Sequence, residues 1–338
     1  MKKIIAIALT TASLMASSSL VKEAQNAGLK PIPQEPSELL KLIDNSKNPI
    51  TKAKVELGKK LYFDPRLSKS GLISCNTCHN LSKGGDDGMS AAIGHKWTAN
   101  PHHLSSPTVY NAVFFDKQFW DGRSPDLEDQ AQGPILASPE MAATKEHVVK
   151  TVTSMPEYVE RFKKSYGKNV TIDYATITKT IGNFERTLVT PAPFDDFLNG
   201  DKNALTKAQK AGMKTFIEVG CASCHNGVAL GGSMNMLGVT AKYKYADIGD
   251  FKGDANGMVK VSTLRNVTQT APYFHNGAVA TLKEAIVEMG RIQLGKKISD
   301  KEAASIEEFL KALEGRKPNI TYPQLPNETA TTPKSNIN

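Results

Sequence analysis

All four cysteines of the chain fall into two copies of one pattern, "CNTCH" at residues 75–79 and "CASCH" at residues 221–225. Two thiols at this spacing can add across the two vinyl groups of a haem, and the adjacent histidine then lies under the iron as an axial ligand. One copy alone would fit chance or half of a zinc site. Two copies that consume every cysteine point to two covalently bound haem c groups. Cys75 and Cys78 with His79 would hold the first, and Cys221 and Cys224 with His225 the second.

The elements that must position these motifs look duplicated. Gly58 precedes Tyr62 and Gly212 precedes Phe216, so a G-x-x-x-aromatic pattern on a helical stretch leads into each motif, and "CHNLSKGG" and "CHNGVALGG" follow. In a cytochrome c fold such a glycine lets a second helix cross closely, and the aromatic packs beside the haem. The expected fold is mainly α, with two cytochrome c-like domains that each carry one haem. Helical periodicity supports this in "TKEHVVKTVTSMPEYVERF", with Thr144 as N-cap, and in "DYATITKTIGNFERTL".

Each iron then needs a second axial partner or an open position, and His/Met ligation gives a higher potential than His/His. Five histidines remain: His95, His102, His103, His147 and His275. His147 sits on a helix among charges and suits solvent, and His102 and His103 follow a proline in a loop. His95 follows Gly94, where the backbone can approach a flat cofactor closely. On the second haem's side, "TLKEAIVEMG" reads as a short helix capped by Thr281 and Glu284 and stopped by Gly290, with Met289 on its apolar face. Met213, Met234, Met236 and Met258 compete with Met289 for the role of ligand.

At 338 residues the chain is long enough for two domains. Lys2 and Lys3, the apolar run "IIAIALTTASLMA" and small residues after it read as an export signal over residues 1–22, cleaved somewhere between Ala16 and Ala27. The run is too short to span a membrane, so the mature protein is expected to be soluble in the periplasm, without an anchor. Export agrees with haem c, which is attached outside the cytoplasm. The first domain is placed at residues 35–189, the second at 190–315 after the break "TPAPFDDF", and a polar tail at 316–338, partly packed back on the first domain and disordered at its end. The formal charge of +8 contains no dense basic block, which argues against nucleic acid as a partner.

Taken together, the segments "SCNTCHN", "IGHKW", "SPTVYNAVFFDKQFWDGR", "LEDQAQGPILASPEM", "STLRNV", "APYFHNGAVATLKEAI" and "MGRIQLG" resemble those of the bacterial dihaem cytochrome c peroxidases, over roughly residues 35 to 315. The resemblance implies that the first haem is the low-potential, peroxide-reacting one, with His95 as its second ligand in the resting oxidised state. It implies a high-potential second haem with Met289 as ligand, Trp120 between the two haems, and Gln130 and Glu140 as the distal pair. It also implies one calcium ion between the domains, with Thr270 and Pro272 as ligands; Ser105 stands where the family has an asparagine, a shorter donor. A homodimer and a small periplasmic cytochrome c as electron donor are family expectations as well.

Reduction of hydrogen peroxide takes two electrons and two protons and yields two waters. Glu140, with a pKa raised in an apolar pocket, suits the movement of a proton between the two peroxide oxygens, and Gln130 can orient the substrate. With His95 bound at rest, the site is closed until the glycine-bearing segment "KGGDDGMSAAIGH" moves it away. Two other readings stand beside this one. The first is a dihaem electron carrier without peroxidase activity, against which Glu140 and Gln130 speak. The second is a MauG-like oxidase of a protein substrate, which is expected to use tyrosine where this chain has Met289.

Overall fold

The computed structural model describes residues 19–338. Most of the expected export signal therefore lies outside the described residues; residues 19–26 are helical. The described chain is mostly helical, with one small antiparallel sheet that pairs Met234–Met236 with Met258–Lys260.

Two hydrophobic cores organise the helices. The first is built around Lys52–Phe63, Lys145–Thr153, Pro156–Tyr166 and Tyr174–Glu185, whose Leu57, Leu61, Val148, Phe162, Ile177 and Ile181 are buried together. The second is built around Lys207–Val219, Leu282–Leu294 and Asp300–Lys311, with Phe194, Phe197, Phe216, Phe309 and Leu310 inside. Leu20, Val21, Ala24 and Leu29, from the opposite end of the chain, also pack on this second core.

Local chemistry starts and stops these helices. Thr51, Thr144, Asp173, Thr206 and Ser299 each accept a backbone N–H in the first turn of the helix that follows, and Thr206–Gln209 and Ser299–Glu302 form reciprocal capping boxes. "TKEHVVKTVTSMPEYVERF" forms two helices rather than one. Pro156 has no N–H to continue the first and pushes Met155 into extended backbone, but it suits the opening position of the second.

The paired glycines occupy helix crossings. A Cβ on Gly58 would lie 2.2 Å from the carbonyl oxygen of Thr180, and one on Gly212 would lie 2.0 Å from that of Ser305. In each core the helix leading into the C-x-x-C-H motif is thus pressed against a second helix at a distance that only glycine permits. The aromatic residues after them face inward: the Tyr62 hydroxyl donates to the His79 carbonyl at 2.6 Å, and Phe216 lines a cavity beside Cys221.

The sequence expectations need correction in places. Gly290 does not stop its helix, which continues to Leu294 and ends at Gly295, a residue in the left-handed region. Gly290 is needed there for a close approach, since its Cβ would lie 2.3 Å from Ile298. The cap at Thr281 also differs from a capping box, because its hydroxyl donates to the Glu284 carboxylate at 3.0 Å. The tail makes contacts back to the first core at several points. Tyr322 meets Phe63 edge-on, Arg66 donates to the Pro326 carbonyl at 2.8 Å, and the Asn336 N–H reaches the Lys69 carbonyl at 2.8 Å. An extended polar segment finds partners for its backbone in this way on turns of a neighbouring core.

Candidate active site: two cavities with a common wall

The two motifs open onto two cavities. The first, of about 470 Å³, is lined by Cys78 and His79 together with Gln130, Glu140, Arg123 and Glu185. The second, of about 190 Å³, is lined by Cys221, Cys224 and His225 together with Met289, Phe216, Ile286, Leu294 and Leu310. Ser105, Pro107, Phe115, Trp120 and Lys260 line both. This common wall is held by backbone bonds. The Trp120 indole donates to the Ser105 carbonyl at 2.9 Å, and the Ser105 N–H donates to the His275 carbonyl at 2.8 Å.

The donor sets fit haem c. The His79 Nδ1 lies 2.9 Å from the Pro107 carbonyl oxygen, and the His225 Nδ1 lies 3.3 Å from that of Leu230. A carbonyl partner makes Nδ1 the protonated nitrogen and leaves the Nε2 lone pair for a metal. Burial lowers the pKa of both imidazoles against the pull of those carbonyls, which favours the neutral, ligating form. Cys78 lines the first cavity and Cys221 and Cys224 the second, and among the described residues no three His, Cys, Asp or Glu side chains are grouped to hold a zinc ion.

The expected distal residues meet in the first cavity. Gln130 ends a short helix, Leu127–Gln130, that Asp126 caps by accepting the Asp129 N–H. Glu140 follows Pro139 in the turn after a second short helix, Gln132–Leu136. Burial raises the Glu140 pKa, and Arg123 pulls it down. Arg123 stacks on Phe119, 3.4 Å from the ring centre, and pairs with Asp121 at 2.8 Å.

His95 is positioned differently. It is 8% exposed, its Nδ1 is buried without a hydrogen-bond partner, and it is not among the residues lining either cavity. Its neighbour Gly94 does line the first cavity and is pressed onto the Pro139 carbonyl and the backbone of Glu140. Lys96 and Trp97, next in the chain, both hold φ near +60°, a backbone state that disfavours residues with a Cβ.

Met289 lines the second cavity, while its competitors lie elsewhere. Met213 is buried in the second core, Met236 is half exposed, and Met234 packs on Gly122. Thr270, Pro272, Ser105 and Asp86 also line this cavity. The Ser105 hydroxyl is occupied, donating to the Met89 carbonyl at 3.1 Å. Asp86 is buried with its Oδ1 unpartnered.

Three of the remaining histidines have partners other than iron, while His103 has a buried Nδ1 without a hydrogen-bond partner and lines neither cavity. His102 pairs with Asp250 at 2.9 Å, and His147 is not a solvent residue, because its Nε2 lies 3.0 Å from the Arg66 carbonyl. His275 packs against Trp120 and Phe251, and burial lowers its pKa to about 4. Three cavity residues escaped the sequence reading: Arg123, Glu185 and Lys260. Each is an ordinary charged residue in "FWDGRS", "NFERTL" or "GMVKVS", and nothing in their spacing marks them. Glu185 is fully enclosed, one of its oxygens is unpartnered, and burial raises its pKa to about 8.

Comparison with known proteins agrees with this arrangement. Residues 52–203 match the family model described as di-haem cytochrome c peroxidase. The chain is 44% identical to cytochrome c551 peroxidase of Pseudomonas aeruginosa, across 96% of this chain and 95% of that one. It is 49% identical to cytochrome c551 peroxidase of Nitrosomonas europaea, across 83% and 85%. The fold is similar to the crystal structure of a MauG-like protein associated with microbial copper homeostasis, with a TM-score of 0.69 and 26% identity over 80% of this chain and 92% of that one. With two haem-binding motifs facing two cavities across one wall, and relatives this similar over nearly the whole length, the chain belongs to the di-haem cytochrome c peroxidase family.

Proposed function

We propose that this peroxidase reduces hydrogen peroxide to two waters in the first cavity, with electrons from a small periplasmic c-type cytochrome that enter through the second. The observation that carries the assignment is the meeting of Glu140, Gln130, Cys78 and His79 on one cavity. An electron carrier needs no buried acid beside its cofactor.

His79 and His225 would hold the two irons, and when bound the haems supply redox capacity and an iron position for peroxide. Glu140 takes a proton from one peroxide oxygen and returns it to the other, from which water departs. Its burial favours this shuttle, because a carboxyl with a pKa closer to neutrality both accepts and releases a proton readily. Gln130, uncharged, keeps the substrate oriented by hydrogen bonds without competing for the proton.

His95 is the movable ligand in this reading. It is buried next to Gly94, which lines the first cavity, so a shift of this short segment would carry it to or from the cavity. The positive φ values at Lys96 and Trp97 support a loop with two settings, since strained backbone of this kind persists only while its surroundings hold it. Met289 completes the second site as a thioether ligand, which favours a high potential. Met289 also weighs against a MauG-like oxidase.

A calcium ion beside the common wall would take backbone oxygens of Thr270 and Pro272, and the unpartnered Asp86 oxygen offers a carboxylate where Ser105 is short. Among the described residues no helix is long and apolar enough to cross a membrane, and Leu20 and Val21 pack on the second core. An export leader over residues 1–22, a periplasmic location and a homodimer belong to this reading on the strength of the sequence and the family.

The test is steady-state consumption of peroxide by the purified di-haem protein with a reduced small cytochrome c, paired with the spectra of His95→Gly. Turnover together with an oxidised spectrum that changes in His95→Gly is the expected result. Electron exchange with the cytochrome but no peroxide consumption would leave a carrier.

A further inference from the structure

Lys260 closes the strand Met258–Lys260 and is 5% exposed. Its N–H donates to the Trp120 carbonyl at 2.8 Å, which ties it to the common wall, and it lines both cavities. Around its ammonium the protein offers the Phe115 ring, 4.8 Å to the centre, and the field of Asp121, a residue already paired with Arg123. Among the described residues no carboxylate lies within ion-pairing distance of Lys260, and burial pushes its pKa down to about 7.

The same molecule treats Arg265, another deeply buried cation, quite differently. Arg265, fully enclosed, is bridged by both oxygens of Asp195 at 2.7 and 2.9 Å. An enclosed ammonium without an anion is among the costliest arrangements in a protein interior, so an anion absent from the polypeptide is called for. The haem c groups that the two motifs would attach bring such anions, because each carries two propionate carboxylates. Lysine suits the position, being a compact point charge able to face carboxylates on either side.

We propose that Lys260 is the counter-charge shared by propionates of the two cofactors across the common wall. This rests on the di-haem reading above. A fixed positive charge near both irons favours their reduced forms, so Lys260 would raise both potentials while holding the two cofactors in register with Trp120.

The experiment is spectroelectrochemical titration at pH 7 of the holoprotein and its Lys260→Met, Lys260→Gln and Lys260→Arg variants, with intact mass confirming two attached haems in each. The expected result is a fall of both midpoint potentials in the Met and Gln variants and values near wild type in the Arg variant. A fall confined to one haem overturns the sharing, and unchanged potentials in fully loaded Met and Gln variants overturn the ion pair. Loss of haem from the Met and Gln variants but not from Arg supports the proposal, since only charge separates them. Loss from all three overturns it by assigning Lys260 to packing of the fold. A wild-type mass without two haems would sink the di-haem reading instead, which keeps the two failures apart.

Discussion

The two cavities share a wall and a motif but differ in what else surrounds them. The first gathers Glu140, Glu185, Gln130 and Arg123, whereas the second is dressed mainly with Phe216, Ile286, Leu294, Leu310 and the thioether of Met289. Its volume is also less than half that of the first. An apolar, filled surround keeps water and protons away from a site that only has to pass electrons. A site that must break an oxygen–oxygen bond needs space for substrate and groups that titrate. Under the proposed function, one scaffold would serve two tasks through the side chains presented to each cavity, while the helix crossings at Gly58 and Gly212 stay alike.

The comparison breaks most visibly at Glu140. Glu140→Gln retains size and removes the proton, so peroxide turnover should fall about 10²-fold or more, with both haems attached and both potentials near wild type, as steady-state kinetics and redox titration would report. Full activity would mean that the first cavity does not owe its chemistry to this carboxyl.

Exchanging the proposed ligand of the second cavity should alter potential rather than bond breaking. Met289→His substitutes imidazole for thioether, so a redox titration should find one potential lowered and the other little changed, with slower electron entry from the donor. If neither potential moves, Met289 is core packing.

The scaffold should respond equally on both sides. Gly58→Ala and Gly212→Ala each drive a methyl into a backbone carbonyl, and overpacking of this kind typically costs about 1–3 kcal/mol. Chemical denaturation should find similar losses for the two variants. A loss at one glycine only would show that the duplicated crossings are not equivalent.

The smallest effect is a sharpening one. Burial raises the Glu140 pKa and Arg123 restrains it, so Arg123→Ala should move the inflection of the pH–rate profile upward. The sign follows from the charge: without the nearby cation the carboxylate is harder to form, so a higher pH is needed to ionise it. An inflection that stays in place or moves down would show that Arg123 does not act on Glu140.

Much of the site could be read in the chain because covalent chemistry imposes strict local spacing. Two thiols and a histidine must fall within five residues to attach one haem, so Cys75, Cys78 and His79, and their counterparts at Cys221, Cys224 and His225, announce themselves. Helix caps such as Thr144 and Thr206 are equally local, being bonds within one turn. The glycine-aromatic pairs were legible for a related reason: a repeat of the same local pattern signals a repeated packing problem. Gly290 misled because a glycine that ends a helix and one that admits a neighbour look identical until the neighbour, Ile298, is in place.

What the sequence determined by itself was therefore the cofactor chemistry, the helical class and the duplication, all set by interactions between residues close in the chain. Tertiary structure alone decided which of several methionines faces the second cavity, that His95 stands off the first, and that Lys260 and Glu185 are enclosed there without ordinary partners. Those properties arise where segments distant in sequence meet. Desolvation and the loss or gain of a charge partner depend on everything that surrounds a side chain, and the chain's local order carries no record of that.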